Sequence, residues 1–151
     1  MRTIWWDMDG TIANLYEVEN WLPKLRSEDA TPYADAKVMW NMSQLAKLMN
    51  KVQRMGYQLG IISWTARGGS ESYNNKVVEA KLNWLKLHLA SVNFDNIRIV
   101  KYGIPKQSFM NTDEDILFDD EEQNREAWTG HAFAPDMMVK VLKSLIGVSI
   151  S

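Results

Sequence analysis

Apolar positions recur along this chain with two alternating periods, and the alternation predicts the fold. Arg2-Thr3-Ile4-Trp5-Trp6-Asp7 is a β-branched and aromatic run ending in the acidic turn Asp7-Met8-Asp9-Gly10-Thr11. That is the pattern of a buried first strand that delivers Asp7 to a sheet edge. From Ser43 to Met55 the spacing becomes helical: Leu45, Leu48, Met49, Val52 and Met55 share a face, and Gly56 follows as a cap. Tyr57 to Ser63 is again a continuous apolar run, a second buried strand, followed by the polar turn Arg67-Gly68-Gly69-Ser70. Val78, Leu82, Leu85 and Leu89 mark a helix from about Asn74 to Leu89. Asn96 to Lys101 predicts a third strand, stopped by Tyr102-Gly103-Ile104-Pro105, and Asp115 to Asp119 a fourth. A short fifth strand falls at His131 to Phe133, and Met138, Val141, Leu142 and Leu145 line a closing helix.

Strands alternating with helices imply parallel strands joined by right-handed crossovers. The expected fold is α/β, a three-layer Rossmann-like sandwich with functional groups at the carboxyl ends of the strands. The segment from Leu15 to about Trp40 breaks the alternation. It carries Pro23, Pro32, Glu17, Glu19, Glu28 and Asp29 with the aromatics Tyr16, Trp21, Tyr33 and Trp40. A connection of that length inside a compact domain usually covers a site or forms its own small insert. We expect a small helical cap at about 15–40, with one helix near Glu17 to Arg26.

Composition narrows the chemistry. A chain of 151 residues has the size of one domain, and 46% hydrophobic with 24% charged residues is an ordinary globular balance. The absence of cysteine excludes disulfides and thiolate chemistry, and only His88 and His131 offer imidazole, which argues against zinc. With a net charge of −2 and no long basic run, the footprint of a duplex-binding protein is missing. A small phosphorylated partner, with neither duplex nucleic acid nor membrane, is expected. No stretch approaches the ~18 apolar residues of a spanning helix, and the first dozen residues lack a secretion signal, so the expected location is cytoplasmic.

Four strand ends then supply the candidate chemistry: Asp7 with Asp9, Ser63 with Thr65, Lys101 or Lys106, and Asp119 with Asp120. In a parallel sheet these positions converge on one rim. Clustered carboxylates repel unless a cation sits among them, and hard oxygen donors suit Mg²⁺. Phosphoryl transfer is the natural reaction of such a rim. Asp7 is the candidate nucleophile and Asp9 the group that handles the proton. Lys106, preferred over Lys101 because it follows the Gly103-Ile104-Pro105 turn, would neutralise the phosphoryl oxygens. Gly10, Thr11, Ser63, Trp64 and Thr65 are the candidate phosphate- and substrate-binding residues, with Ser63 and Thr65 competing for one hydroxyl role. Asp119 and Asp120 would complete the metal shell. Each element alone has a plainer account, a turn, an acidic helix start or a solvated lysine. Their joint order is what points to a site.

Those same residues resemble a known family. Trp6-Asp7-Met8-Asp9-Gly10-Thr11-Ile12 is similar to the first motif of the haloacid dehalogenase-like phosphatases, Ile61-Ile62-Ser63 to the second, Lys106 to the third and Leu117-Phe118-Asp119-Asp120 to the fourth. The resemblance implies a Rossmann-like core and an aspartyl-phosphate formed on Asp7. It also implies an acid/base at Asp9 whose backbone carbonyl also meets Mg²⁺, and metal contact from Asp119 and Asp120. The modest insert before the second motif is similar to the 5′(3′)-deoxyribonucleotidase-like branch, which includes bacterial and bacteriophage members. A (deoxy)nucleoside monophosphate is then the expected substrate. A polynucleotide 3′-phosphatase or a sugar phosphatase would use the same chemistry, and a phospho-accepting receiver-like domain is the alternative of another class.

Overall fold

In the computed structural model, which describes residues 2–147, the elements follow in chain order. They are β1 (Thr3–Trp6), β2 (Ala13–Asn14), α1 (Trp21–Arg26), α2 (Thr31–Asp35), β3 (Lys37–Val38), α3 (Met42–Arg54) and β4 (Gln58–Trp64), then α4 (Glu71–His88), β5 (Asn96–Val100), β6 (Ile116–Phe118), α5 (Glu122–Ala127), β7 (His131–Phe133) and α6 (Met138–Ile146). Five strands form one parallel sheet in the order β5-β4-β1-β6-β7. The chain starts at the centre, winds outward through β4 and β5, and returns to the other side of β1. That reversal beside β1 is where an open α/β sheet opens a crevice at its carboxyl edge.

Every residue of β1 is buried because the strand is covered on both faces. Ile4 and Trp6 enter the larger core with Leu45, Met49 and Val52 of α3, Trp84 and Leu85 of α4, and Met138 and Leu142 of α6. Trp5 points the other way, to Ile62, Leu117 and Trp128. That second face is thinner. It is closed by the short 3₁₀ turn Lys106–Phe109 and the end of α5. The wide Trp5 indole needs Gly60 beside it on β4, since a Cβ there would fall on the ring. Asp115, fully buried, ties this region together by accepting from Thr3 N (2.9 Å), Trp5 Nε1 (3.1 Å), Asn111 N (2.8 Å) and Thr112 Oγ1 (2.9 Å).

The five expected strands and the α/β Rossmann-like fold are present. The helical face of α4 is the expected one only in part. Of the expected stripe Val78, Leu82, Leu85 and Leu89, Leu85 and Leu89 are buried while Val78 and Leu82 are half-buried, and the other buried positions of the helix are Tyr73, Val77, Lys81 and Trp84. A lysine occupies the middle of the true stripe, so counting apolar residues rotated the first half of the face. The helix also begins earlier, at Glu71, because the Ser70 hydroxyl caps it by accepting from Tyr73 N at 3.1 Å.

The segment after β1 leaves and re-enters the core through a two-stranded antiparallel ribbon pairing Ala13 with Val38 and Asn14 with Lys37. The helix expected near Glu17 to Arg26 is present as α1, preceded by a 3₁₀ turn at Leu15–Glu17 and followed by a second helix, α2, that was not expected. Proline at the second position of α2 explains that start. Two indoles bolt the stems, Trp40 Nε1 donating to Thr11 O and Trp84 Nε1 to Ala36 O, each at 2.7 Å. The segment packs on α4 as well. Tyr73 Oη donates to Asp29 O (2.9 Å), and the Glu28 carboxylate accepts from Ser70 N (2.9 Å) and Ser70 Oγ (2.8 Å). No helix among the described residues is long and apolar enough to cross a membrane.

Candidate active site

Asp7 is the first residue past β1, and its N–H extends the ladder by donating to Phe118 O at 2.9 Å. The chain then turns sharply, with Met8 O accepting from the amides of Thr11, Ile12 and Ala13 at 3.1, 2.9 and 3.0 Å. Gly10 makes this turn at φ +78, and a Cβ there would land on the Asp120 carboxylate and crowd the Tyr16 ring. Glycine therefore serves both the positive φ and the close approach of the two acidic loops. Thr11, fully buried, stitches those loops: its hydroxyl donates to Asp7 Oδ2 (3.1 Å) and accepts from Asp120 N (3.2 Å).

Lys106 reaches the same point from the 3₁₀ turn that follows Pro105. Its buried ammonium donates to Asp7 Oδ1 at 2.9 Å and to Asp119 Oδ2 at 2.7 Å, with the Trp64 ring centroid 5.0 Å away. Burial alone would lower its pKa, but the carboxylates of Asp7 and Asp119 outweigh burial and raise it. Lys101 lies past the end of β5, exposed and lining a different groove from Lys106. Of the two candidate lysines, Lys106 is the one that contacts Asp7.

Asp119 and Asp120 follow β6. Asp119 is fully buried and accepts from Glu121 N at 2.9 Å and Asn124 Nδ2 at 3.2 Å, while the Asp120 carboxylate lies close to that of Asp7. Oxygens of Asp7, Asp119 and Asp120 lie within 4.8 Å of one another. Burial first, and then the Asp7 charge, push Asp119 up to about 6 and Asp120 up to about 8. One lysine does not balance three such carboxylates, and the set of hard oxygen donors fits a small divalent cation.

Asp9 stands apart from that cluster. Its Oδ2 accepts from Lys81 Nζ at 2.8 Å, and Asp9 Oδ1 has no hydrogen bond among the described residues. Burial, partly countered by Lys81 and reinforced by Asp7, raises the Asp9 pKa. The two candidate hydroxyls also part. Ser63 is sealed inside the sheet and accepts from Lys81 Nζ at 2.7 Å. Thr65 lies one residue beyond β4 and lines the cavity, and its buried hydroxyl has no partner among the described residues.

These groups floor a cavity of about 520 Å³. Asp7, Asp9 and Lys106 lie at its base, Tyr16, Trp21, Arg26 and Tyr33 of the segment after β1 on one side, and Trp64, Thr65, Arg67 and Tyr102 on the other. Burial, with Asp9 next, raises the pKa of both the Tyr16 and Tyr33 phenols, which keeps them neutral hydroxyls over the acidic floor. Of the residues singled out from sequence, Asp7, Asp9, Trp64, Thr65 and Lys106 face this cavity. Asp119 and Asp120 hold its floor from β6, and Gly10, Thr11 and Ser63 act on neighbouring groups from behind. Lys81 was missed: nothing in a helical stripe marks one lysine as buried, and only its interruption of the apolar spacing hinted at it.

The sequence matches no protein-family model and no curated protein. Among solved structures it is similar to D,D-heptose 1,7-bisphosphate phosphatase from Burkholderia thailandensis, with a TM-score of 0.53 and 13% identity over 84% of this chain and 71% of that one. It is also similar to a target protein from Vibrio cholerae, with a TM-score of 0.51 and 15% identity over 97% of this chain and 98% of that one. At these identities the likeness is one of fold.

Proposed function

We propose that this protein is a phosphomonoester hydrolase of the haloacid dehalogenase-like kind, working through an aspartyl-phosphate on Asp7. The observation that carries the reading is the Asp7 carboxylate, gripped by Lys106 on one oxygen and Thr11 on the other at the base of an open cavity. A nucleophile held from both sides is pre-oriented for in-line attack. Asp7 bonds to phosphorus as the ester bond breaks, and Asp9 gives its proton to the leaving oxygen. Asp9 then takes a proton from the water that cleaves the Asp7–phosphorus bond. Lys106 and the unpartnered Thr65 hydroxyl hold the phosphoryl oxygens, a reading supported over Ser63 by the burial of Ser63 against Lys81. Mg²⁺, held by Asp7, Asp119 and Asp120 with the Asp9 carbonyl, would supply the remaining neutralisation of phosphoryl charge.

The substrate we propose is a (deoxy)nucleoside monophosphate. Tyr16, Trp21, Tyr33, Trp64 and Tyr102 line the cavity around the acidic floor, and flat aromatic walls suit a base better than a bare sugar. The test is release of inorganic phosphate from a panel of nucleoside monophosphates, 3′-phosphorylated oligonucleotides and sugar phosphates with Mg²⁺. Nucleoside monophosphates are expected to react fastest, and Asp7→Asn to abolish turnover by a factor on the order of 10⁴. Turnover that survives Asp7→Asn, or no release from any member, rejects the hydrolase. A stable phosphoprotein without turnover would favour a receiver-like domain.

A further inference from the structure

Among the described residues two lysines are buried, and the reaction above uses only Lys106. Lys81 sits in the middle of α4 with its side chain 1% exposed. An ammonium has three protons to donate, and all three are taken: by Asp9 Oδ2 (2.8 Å), Ser63 Oγ (2.7 Å) and Trp64 O (2.7 Å). Two of those acceptors belong to the carboxyl end of β4, an interior strand of the sheet, so the charge is tied to the sheet itself. The Tyr33 ring closes over it from α2, its centroid 5.0 Å away.

An apolar residue would fill this place in the stripe as Val77 and Trp84 fill theirs. A buried ion pair adds little stability over well-packed apolar side chains. What the ammonium adds is direction: it fixes one oxygen of Asp9 and leaves Oδ1, on the cavity-lining residue, as the oxygen available for proton transfer.

We propose that Lys81 is a positioning residue for Asp9, anchoring the proton donor to β4. The proposal rests on the hydrolase reading above. It acts on one event: as Asp7 bonds to phosphorus and the phosphorus–oxygen ester bond breaks, the departing electron pair takes the proton from Asp9. In the second half, water bonds to phosphorus, its proton passes to Asp9, and the Asp7–phosphorus bond breaks. A leaving group that departs readily as an anion has little need of that proton, whereas a basic one depends on it.

The experiment compares p-nitrophenyl phosphate, a good leaving group, with phenyl phosphate, a poor one, in the full chain with Mg²⁺. Lys81→Met is expected to lower kcat on phenyl phosphate by about 10- to 100-fold and on p-nitrophenyl phosphate by less than about 3-fold, with KM unchanged on both. Asp9→Asn should show the same selectivity, more strongly. Equal losses on the two esters, or a loss confined to KM, overturn the proposal. If far-ultraviolet circular dichroism shows Lys81→Met unfolded, Ser63→Ala carries the test. It removes one anchor of the ammonium but keeps the pair with Asp9, and it should give the same selective loss at about 3- to 10-fold; equal losses again overturn the role. A wild-type protein silent on both esters, or one unaffected by Asp7→Asn, rejects the hydrolase itself and is a separate outcome.

Discussion

The buried ammonium groups of Lys106 and Lys81 are built in opposite ways. Lys106 comes from a short turn and lies between two carboxylates, both from strand ends. Lys81 comes from the centre of a long helix and meets one carboxylate and two neutral oxygens. The first is a charge set where negative charge gathers, and its surroundings remain short of positive charge. The second is fully coordinated and has no capacity left for a ligand. A lysine with spare demand around it suits binding, while a lysine with every proton committed suits orientation.

The largest expected effect comes from removing the first. Lys106→Met should lower kcat by about 10²- to 10³-fold on good and poor leaving groups alike, since phosphoryl charge must be met in both cases. Steady-state kinetics on the aryl esters would reveal this, and leaving-group selectivity like that expected of Lys81→Met would erase the distinction between the two lysines. The same substitution strips the partner from buried carboxylates and should destabilise the fold by about 3 kcal/mol in urea titration.

Next in size is the response to pH and Mg²⁺. Asp119 and Asp120 are held up at about 6 and about 8, from an ordinary 3.8, by burial and by the Asp7 charge. The native state therefore keeps protons that the unfolded chain releases. Their contribution to stability is complete below about pH 4 and disappears as pH rises through those values. The Mg²⁺-free protein should show a falling Tm from about pH 5 to about pH 8.5, and Mg²⁺ should raise Tm most at the alkaline end. A Tm flat with pH, or an equal Mg²⁺ shift in Asp120→Asn, would remove the claim that this cluster is short of positive charge.

The smallest expected effect separates the two hydroxyls that flank Trp64. Thr65→Val removes a buried hydroxyl with no partner, so it should stabilise the protein by up to about 1 kcal/mol while slowing turnover. Ser63→Ala removes a partner of Lys81 and should destabilise it by a similar about 1 kcal/mol. Thermal melts of the two variants moving in the same direction would contradict the proposed role of Thr65 as the hydroxyl kept free for substrate.

How legible each part was in the sequence follows from the same contrast. The strands could be read because β1 and β4 are continuous apolar runs, Asp7 and Lys106 because they sit at turns marked by Gly and Pro, and Asp119 because it ends the apolar run of β6. Strand length carried one ambiguity: β4 extends to Trp64, one residue further than its apolar pattern, which turns Ser63 inward and brings Thr65 to the cavity. Lys81 was hidden because burial of a charge is decided by acceptors distant in sequence, Asp9 and the end of β4. The second helix of the segment after β1 was equally hidden, as its five residues are too short for any periodicity to register.

The ribbon of β2 and β3 has a consequence for change over evolutionary time. Because Asn14 and Lys37 face each other in register, the segment between them departs from and returns to one spot on the scaffold. A replacement of different length could be grafted at those two positions with a closure penalty of only about 0.6 kcal/mol per doubling of length. One wall of the cavity thus hangs from two facing residues, while the acidic floor is held separately by Thr11 and Lys106.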